Sequence, residues 1–224
     1  MIRSRTILIL VAAMMLAAGC SRSVTGIRVE GSGNVTSETR VLSDVRGVSL
    51  AAVGDVDVVI GDEESIVIEG EDNLIPLITT DVDDGVLTIG VADETSLDLN
   101  RPIHFQVTVN RLELAEISGA GTLSIDDPGS DRVELLVPGA GTISVSGAVD
   151  ELTASISGTG NVEAARLAAD DVVVDVSGAG TATVWAVNSL AVTLSGVGDV
   201  SYWGDPQVDQ TITGVGNLRA LGAR

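Results

Sequence analysis

Along most of the chain, large aliphatic residues alternate with polar ones, and a five-residue unit carrying two glycines interrupts the alternation at regular intervals. Six such units are present: Ser118-Gly-Ala-Gly-Thr122, Pro138-Gly-Ala-Gly-Thr142, Ser157-Gly-Thr-Gly-Asn161, Ser177-Gly-Ala-Gly-Thr181, Ser195-Gly-Val-Gly-Asp199 and Thr213-Gly-Val-Gly-Asn217. Their starts lie 20, 19, 20, 18 and 18 residues apart. An aliphatic residue precedes each unit (Ile117, Val137, Ile156, Val176, Leu194 and Ile212), and triplets such as Leu123-Ser-Ile125 and Ile143-Ser-Val145 follow. Period-two patterning on both sides of the unit predicts strands with one buried face. The glycine pairs are Gly119 and Gly121, Gly139 and Gly141, Gly158 and Gly160, Gly178 and Gly180, Gly196 and Gly198, and Gly214 and Gly216. They predict a tight bend that needs either a positive φ or close approach of another backbone. A strand–bend–strand module of this size cannot bury its apolar face alone, so each copy must stack on the next. The expected fold is all-β, a parallel β-solenoid with coils of about 19 residues set ~4.8 Å apart. The Ser/Thr before the glycines and the Thr/Asn/Asp after them would then form ladders along it.

Two fainter units lie upstream, Gly31-Ser-Gly-Asn34 and Ala52-Val-Gly-Asp55, and extend the repeat over nearly the whole chain after the leader. Between Asp55 and Ser118 the unit disappears while strand patterning continues. Gly61-Asp-Glu-Glu64 reads as a hairpin-like turn between Val56–Ile60 and Ile66–Glu69, and Asp83-Asp-Gly85 as a second turn. This segment is expected to be a variant coil or a small abutting sheet. The best helical stretch, Asn73–Thr79, is short and interrupted by Pro76, so no substantial helix is expected.

Composition narrows the function. The 224 residues are 45% hydrophobic and only 2% aromatic; Lys is absent, and 12 Arg against 32 acids give a net charge of −20. A nucleic-acid partner is excluded, because it would require a cationic footprint and stacking aromatics. A single Cys excludes an intramolecular disulfide framework and multi-thiolate zinc sites. The hydrophobic content exceeds that of a disordered acidic tail.

Residues 1–19 read as an export signal: Arg3 and Arg5, an apolar run from Ile7 to Leu16, then small residues up to Gly19. Leu16-Ala-Ala-Gly-Cys20 resembles the lipobox of bacterial lipoproteins, which implies cleavage before Cys20 and lipidation of its thiol. Acyl chains at ~0.8 kcal/mol per buried CH₂ would anchor the protein to a membrane when two or three are present. Ser21 resembles the sorting position of proteobacterial lipoproteins and favours the outer membrane. Residues 20–26 would be the lipidated tether and 27–224 the folded domain.

The order of features from Ile27 to Leu221 resembles the head GIN domain family, bacterial envelope proteins labelled auto-transporter adhesins. The resemblance is carried by the Ser-Gly-x-Gly-Asn/Asp/Thr units, by Arg101-Pro-Ile103 leading into a strand, and by Tyr202-Trp-Gly-Asp-Pro206 before a last unit. It implies a right-handed β-helix-like fold and an exported location, with no established activity. An auto-transporter also needs a β-barrel translocator, for which this chain leaves no room, so the adhesin part of the label is not carried over by resemblance.

Candidate chemistry is sparse. His104, the single histidine, falls on the polar side of the strand Ile103–Val109 and is read as an exposed strand residue. Acidic groups at Asp55, Asp57 and Asp62–Glu64, at Asp81–Asp84, and at Asp126–Asp127 could offer calcium its oxygens. The repeat period does not match calcium-binding nonapeptides, so they are read as solvated surface. The glycine units lack the third glycine and the helix of a dinucleotide site. Trp185, Tyr202 and Trp203 are expected to cap the last coils rather than stack on sugars. No catalytic residue, metal site or cofactor is assigned. The expected function is a non-enzymatic, lipid-anchored envelope module for binding, adhesion or scaffolding, with an envelope protein, a glycan or a further copy of the chain as partner. The alternative is a polysaccharide-processing or calcium-dependent β-helix enzyme, which would show carboxylates converging in a groove beside an Arg.

Overall fold

The structure is a computed structural model that describes residues 26–224; the export signal, Cys20 and Ser21 lie outside the described residues. Eighteen strands are formed among the described residues. The first nine are β1 (Ile27–Glu30), β2 (Val35–Val41), β3 (Gly47–Leu50), β4 (Val53–Ile60), β5 (Ser65–Glu71), β6 (Ile78–Asp83), β7 (Val86–Val91), β8 (Thr95–Asp98) and β9 (His104–Val109). Then come β10 (Leu114–Ile117), β11 (Ala120–Ile125), β12 (Arg132–Val137), β13 (Ala140–Ile156), β14 (Thr159–Val176), β15 (Ala179–Leu194), β16 (Val200–Trp203), β17 (Gln207–Ile212) and β18 (Leu218–Gly222). The chain is a parallel β-solenoid, and its ladder registers follow the repeat spacing: Ala120 pairs with Ala140, Ala140 with Thr159, Thr159 with Ala179, and Val200 with Leu218.

Each coil has one side before the bend and one after it. The first side stacks β7, β3, β10, β12, the second halves of β13, β14 and β15, and β17. The second stacks β9, β4, β11, the first halves of β13, β14 and β15, then β16 and β18. Because the register is parallel and unslipped at the bends, inward residues form columns. Val56, Leu123, Ile143, Val162, Ala182 and Val200 make one, and every member is at least 99% buried. Each fully buried aliphatic contributes roughly 1.5–3 kcal/mol.

The paired glycines form two further columns along the bend, and close approach explains them. A Cβ on Gly158 would overlap the carbonyl oxygens of Gly139 and Pro138, and one on Gly178 would overlap those of Gly158 and Ser157. The second glycines stack in the same way: Gly160 lies on the carbonyl of Gly141, and Gly180 on that of Gly160. Hydrogen bonds run up the same line, from Thr159 N–H to Gly139 O and from Ala179 N–H to Gly158 O, both at 2.8 Å.

The middle segment is both a variant coil and an abutting sheet. β4 and β11 are ladder neighbours although Asp55 and Thr122 are 67 residues apart. The intervening chain folds back over the N-terminal end, where β7 and β9 add in parallel to β3 and β4. β6 pairs antiparallel with β7, β5 with β9, and β2 with β5, which closes that end. The turn at Gly61–Glu64 is therefore not a hairpin: β9 lies between β4 and β5. Asp83-Asp-Gly85 does make one, with φ of 46° at Asp84 and 79° at Gly85, the twist that a two-residue hairpin favours. The expected helical stretch shrinks to a 3₁₀ turn, Ile75–Leu77.

The two faint upstream units part ways. Ala52-Val-Gly-Asp55 is a genuine bend, with Gly54 in register with Gly121. Gly31-Ser-Gly-Asn34 is a loop between β1 and β2, outside the stack. Its first position is Glu30, where the six full units carry Ser, Thr or Pro and the Gly54 bend carries Ala51.

Gly158→Val should cost more than ~3 kcal/mol, since the overlap is with backbone that cannot rotate away. That corresponds to a fall in Tm of about 6–12 °C for a domain of this size. His104→Ala, at an exposed site, should stay within ~0.5 kcal/mol of wild type. Equal melting temperatures for the two variants would contradict the stacking account.

Candidate interaction surface

The outward residues of the second side are aligned by the same register that aligns the core. One row runs from His104 through Asp55, Thr122, Thr142 and Asn161 to Thr181. Thr122 Oγ1 donates to Asp55 Oδ1 at 2.6 Å, Asn161 Nδ2 to Thr142 Oγ1 at 3.4 Å, and Thr181 Oγ1 to Asn161 Oδ1 at 2.8 Å. Asp199 and Asn217 continue the line, Asn217 Nδ2 donating to Asp199 Oδ1 at 3.1 Å. A parallel row contains Ser124, Ser144, Glu163, Thr183 and Ser201. The centre of this face is dominated by hydroxyl and amide groups, spaced ~4.8 Å along the solenoid, on a protein of net charge −20. It offers many donors and acceptors in a regular array, suited to an extended polar partner.

His104 stands on this face with its side chain 57% exposed, as the strand pattern predicts, and its Nδ1 is 3.8 Å from Asp55 Oδ2. The carboxylate thus sits between the Thr122 hydroxyl and the imidazole. A hydroxyl nucleophile needs the imidazole in the middle, as its base. The order is wrong for acyl transfer.

On the first side, a groove of about 460 Å³ collects Arg46, Asp84, Glu113, Arg132, Glu134 and Glu151. This is the arrangement of carboxylates beside an Arg expected of the enzyme alternative. Its members do not form the desolvated pair that general acid catalysis uses. Asp84, Glu134 and Glu151 are exposed, Arg46 is held by the carbonyl and carboxylate of Asp84 at 3.0 and 3.3 Å, and Arg132 lies opposite Glu151 in the ladder. The acidic groups singled out for calcium do not converge: among the described residues no cluster of three or more His, Cys, Asp or Glu is placed to hold a metal ion.

The family model described as "Putative auto-transporter adhesin, head GIN domain" matches residues 44–206, more than half of the chain. The chain belongs to the head GIN domain family. Among solved structures it is similar to a putative adhesin from Bacteroides fragilis, at 19% identity and a TM-score of 0.71, over 86% of this chain and 100% of that one. It also aligns with a protein from Parabacteroides distasonis titled a putative lipid binding protein, at 18% identity and a TM-score of 0.49, over 87% of this chain and 100% of that one. The first likeness shows the fold. No curated protein matches the chain.

In this head GIN domain the matched region begins just before β3 and stops ahead of β17 and β18. Trp185, Tyr202 and Trp203 lie in the last coils, where Tyr202 packs against the core. Trp185 and Trp203 are ladder neighbours, and the Arg224 guanidinium lies over both rings, 5.2 and 5.5 Å from their centroids.

One buried carboxylate carries no signal in the sequence. Glu71 is 1% exposed and accepts from Gly33 N–H at 2.6 Å, Asn100 N–H at 3.0 Å and Asn100 Nδ2 at 3.3 Å. Gly31 is required because a Cβ there would overlap this carboxylate. Asn73 Nδ2 donates to Glu30 O, and Asn100 Nδ2 to Gly31 O, both at 2.8 Å. The group ties the start of the domain to the closed end and is structural. Burial alone would raise the Glu71 pKa, but the N–H donors of Asn100, Gly33 and Arg101 and the Asn100 side chain outweigh it and hold it below the ordinary value. A lowered folded-state pKa stabilises above the unfolded value of ~4.3 and loses that contribution as pH falls through the folded value. Glu71→Gln should therefore melt below wild type at pH 7, with the gap narrowing as the pH drops below ~4.3. A gap that is constant with pH would contradict this role.

Proposed function

We propose that the protein is a non-enzymatic binding module of the bacterial cell envelope, tethered through a lipidated Cys20, whose two-row polar face is its contact surface. The observation that carries this reading is the outward row from His104 to Thr181, built by the same register as the core and followed by the Asp199–Asn217 pair. A partner that is itself extended, an envelope protein segment or a glycan chain, can meet many of its groups at once. Individually weak polar contacts then add up along a rigid, preorganised array. Membership of the head GIN domain family and the likeness to the putative adhesin from Bacteroides fragilis support a binding role. The leader pattern and Ser21 support export and the outer membrane. With residues 26–224 strongly acidic, electrostatics would not hold the domain on anionic lipid, so the lipid on Cys20 does the anchoring.

The test is in-cell crosslinking of the full-length chain, followed by membrane isolation and identification of what co-purifies. Thr142→Arg combined with Ser144→Arg should abolish the captured species without moving Tm, whereas Cys20→Ser should release the protein from the membrane fraction. Capture that survives the double substitution would place the contact elsewhere. Membrane retention of the Cys20→Ser variant would remove the lipid anchor from the account.

A further inference from the structure

The two ends of the solenoid are finished differently. The N-terminal end is closed by the antiparallel strands β2, β5 and β6. At the opposite end, among the described residues, no strand pairs with the outer edges of β17 and β18. The inward columns emerge there: Val208 follows Leu190 and Ile212 follows Leu194 in the ladder, yet they are 41% and 38% exposed. A terminal rung with apolar residues and open backbone groups is a template for another chain.

Charge identifies the occupant. A second copy is repelled by most of a surface whose net charge is −20, but the last coil is balanced, with Asp205 and Asp209 matched by Arg219 and Arg224. Asp209 lies on the outward row of β17 beside Ala191, and Arg219 on the outward row of β18 beside Ser201. Neither forms an ion pair among the described residues. We propose that this end docks the same end of a second copy about a two-fold axis through the Thr213–Asn217 bend. Such an axis lays β17 of one copy antiparallel on β18 of the other, and does so twice, because one strand runs into the bend and the other out of it. Ile212 then meets Leu218, Arg219 of the second copy stands opposite Thr211, and Asp209 lies one diagonal step away, within reach of the long Arg side chain. Edges of ~20 Å bound an interface at the small end of the stable range, ~1,200 Å², which makes the pairing reversible.

The pair also has a direction. The described chain begins at the closed end, where the Gly31 loop is tied to Glu71, so its two starting points lie at opposite ends of the dimer. Resting on the lipid-anchor reading above, the pair joins two facing membranes.

Sedimentation of the full-length chain in detergent at micromolar concentration should give twice the mass of one chain. Asp209→Arg should weaken pairing at least tenfold, Asp209→Arg with Arg219→Glu should restore it, and Val208→Lys with Ile212→Lys should leave single chains. A single-chain mass for wild type, or pairing indifferent to Asp209→Arg, would overturn the proposal; Asp209 is exposed, so that variant folds even where the lysine pair does not. Phosphatidylcholine vesicles carrying the full-length protein should clump, and those carrying Asp209→Arg should not. Pairing in detergent without clumping would uphold the contact and overturn the membrane-bridging geometry.

Discussion

The structure depends on backbone resting on backbone at the bend. Where successive coils turn, the chain of one lies on the carbonyl oxygens of the one before, leaving no room for a side chain at either glycine position. This contact fixes the distance and the register between coils together. Once the bends are in step, the residues on either side are in step as well, so aliphatics fall on aliphatics inside and hydroxyls on hydroxyls outside. The hydrophobic columns supply most of the stabilisation, but the glycines decide which residues share a column.

The same register explains how a core-building repeat also builds a surface. A strand alternates its side chains between two faces, so a column of buried Ile and Val implies an equally regular row one residue away. In this chain that row is Thr, Ser, Asn and Asp, which hydrogen-bond along the axis rather than to the core. The rigidity of the array comes from the coil beneath it. The first side has the same geometry, but its outward rows mix acidic, hydroxyl and apolar residues, as in Leu114, Glu134, Thr153 and Val173, and its groove stays open to solvent.

The repeating part of this architecture was legible because its signal is local and repeated: the glycine pair, the aliphatic before it and the alternation after it recur in each of the six full units. The closed end was less legible. Its pairing joins residues far apart in sequence, and the alternation of β5 and β9 does not say that β9 inserts between β4 and β5. Two glycine motifs of similar appearance were separated only by what they touch. Gly54 meets the Ile103 carbonyl and the Phe105 ring within the stack, whereas Gly31 meets the Glu71 carboxylate. The exposure of His104 was readable from its strand. The burial of Glu71 was not, because the groups that satisfy it come from two loops distant in sequence, at Gly33 and at Asn100.

The most direct measurement is native-state hydrogen exchange at the bend amides of Ala140, Thr159 and Ala179, which donate to the carbonyls of Gly119, Gly139 and Gly158 at 2.8–2.9 Å. If the bends hold the coils in register, these amides exchange as slowly as those of Ile143 and Val162 in the adjoining strands, and by the same global opening. Bend amides that exchange orders of magnitude faster than the strand amides would contradict the account, because the register would then be held by the core alone.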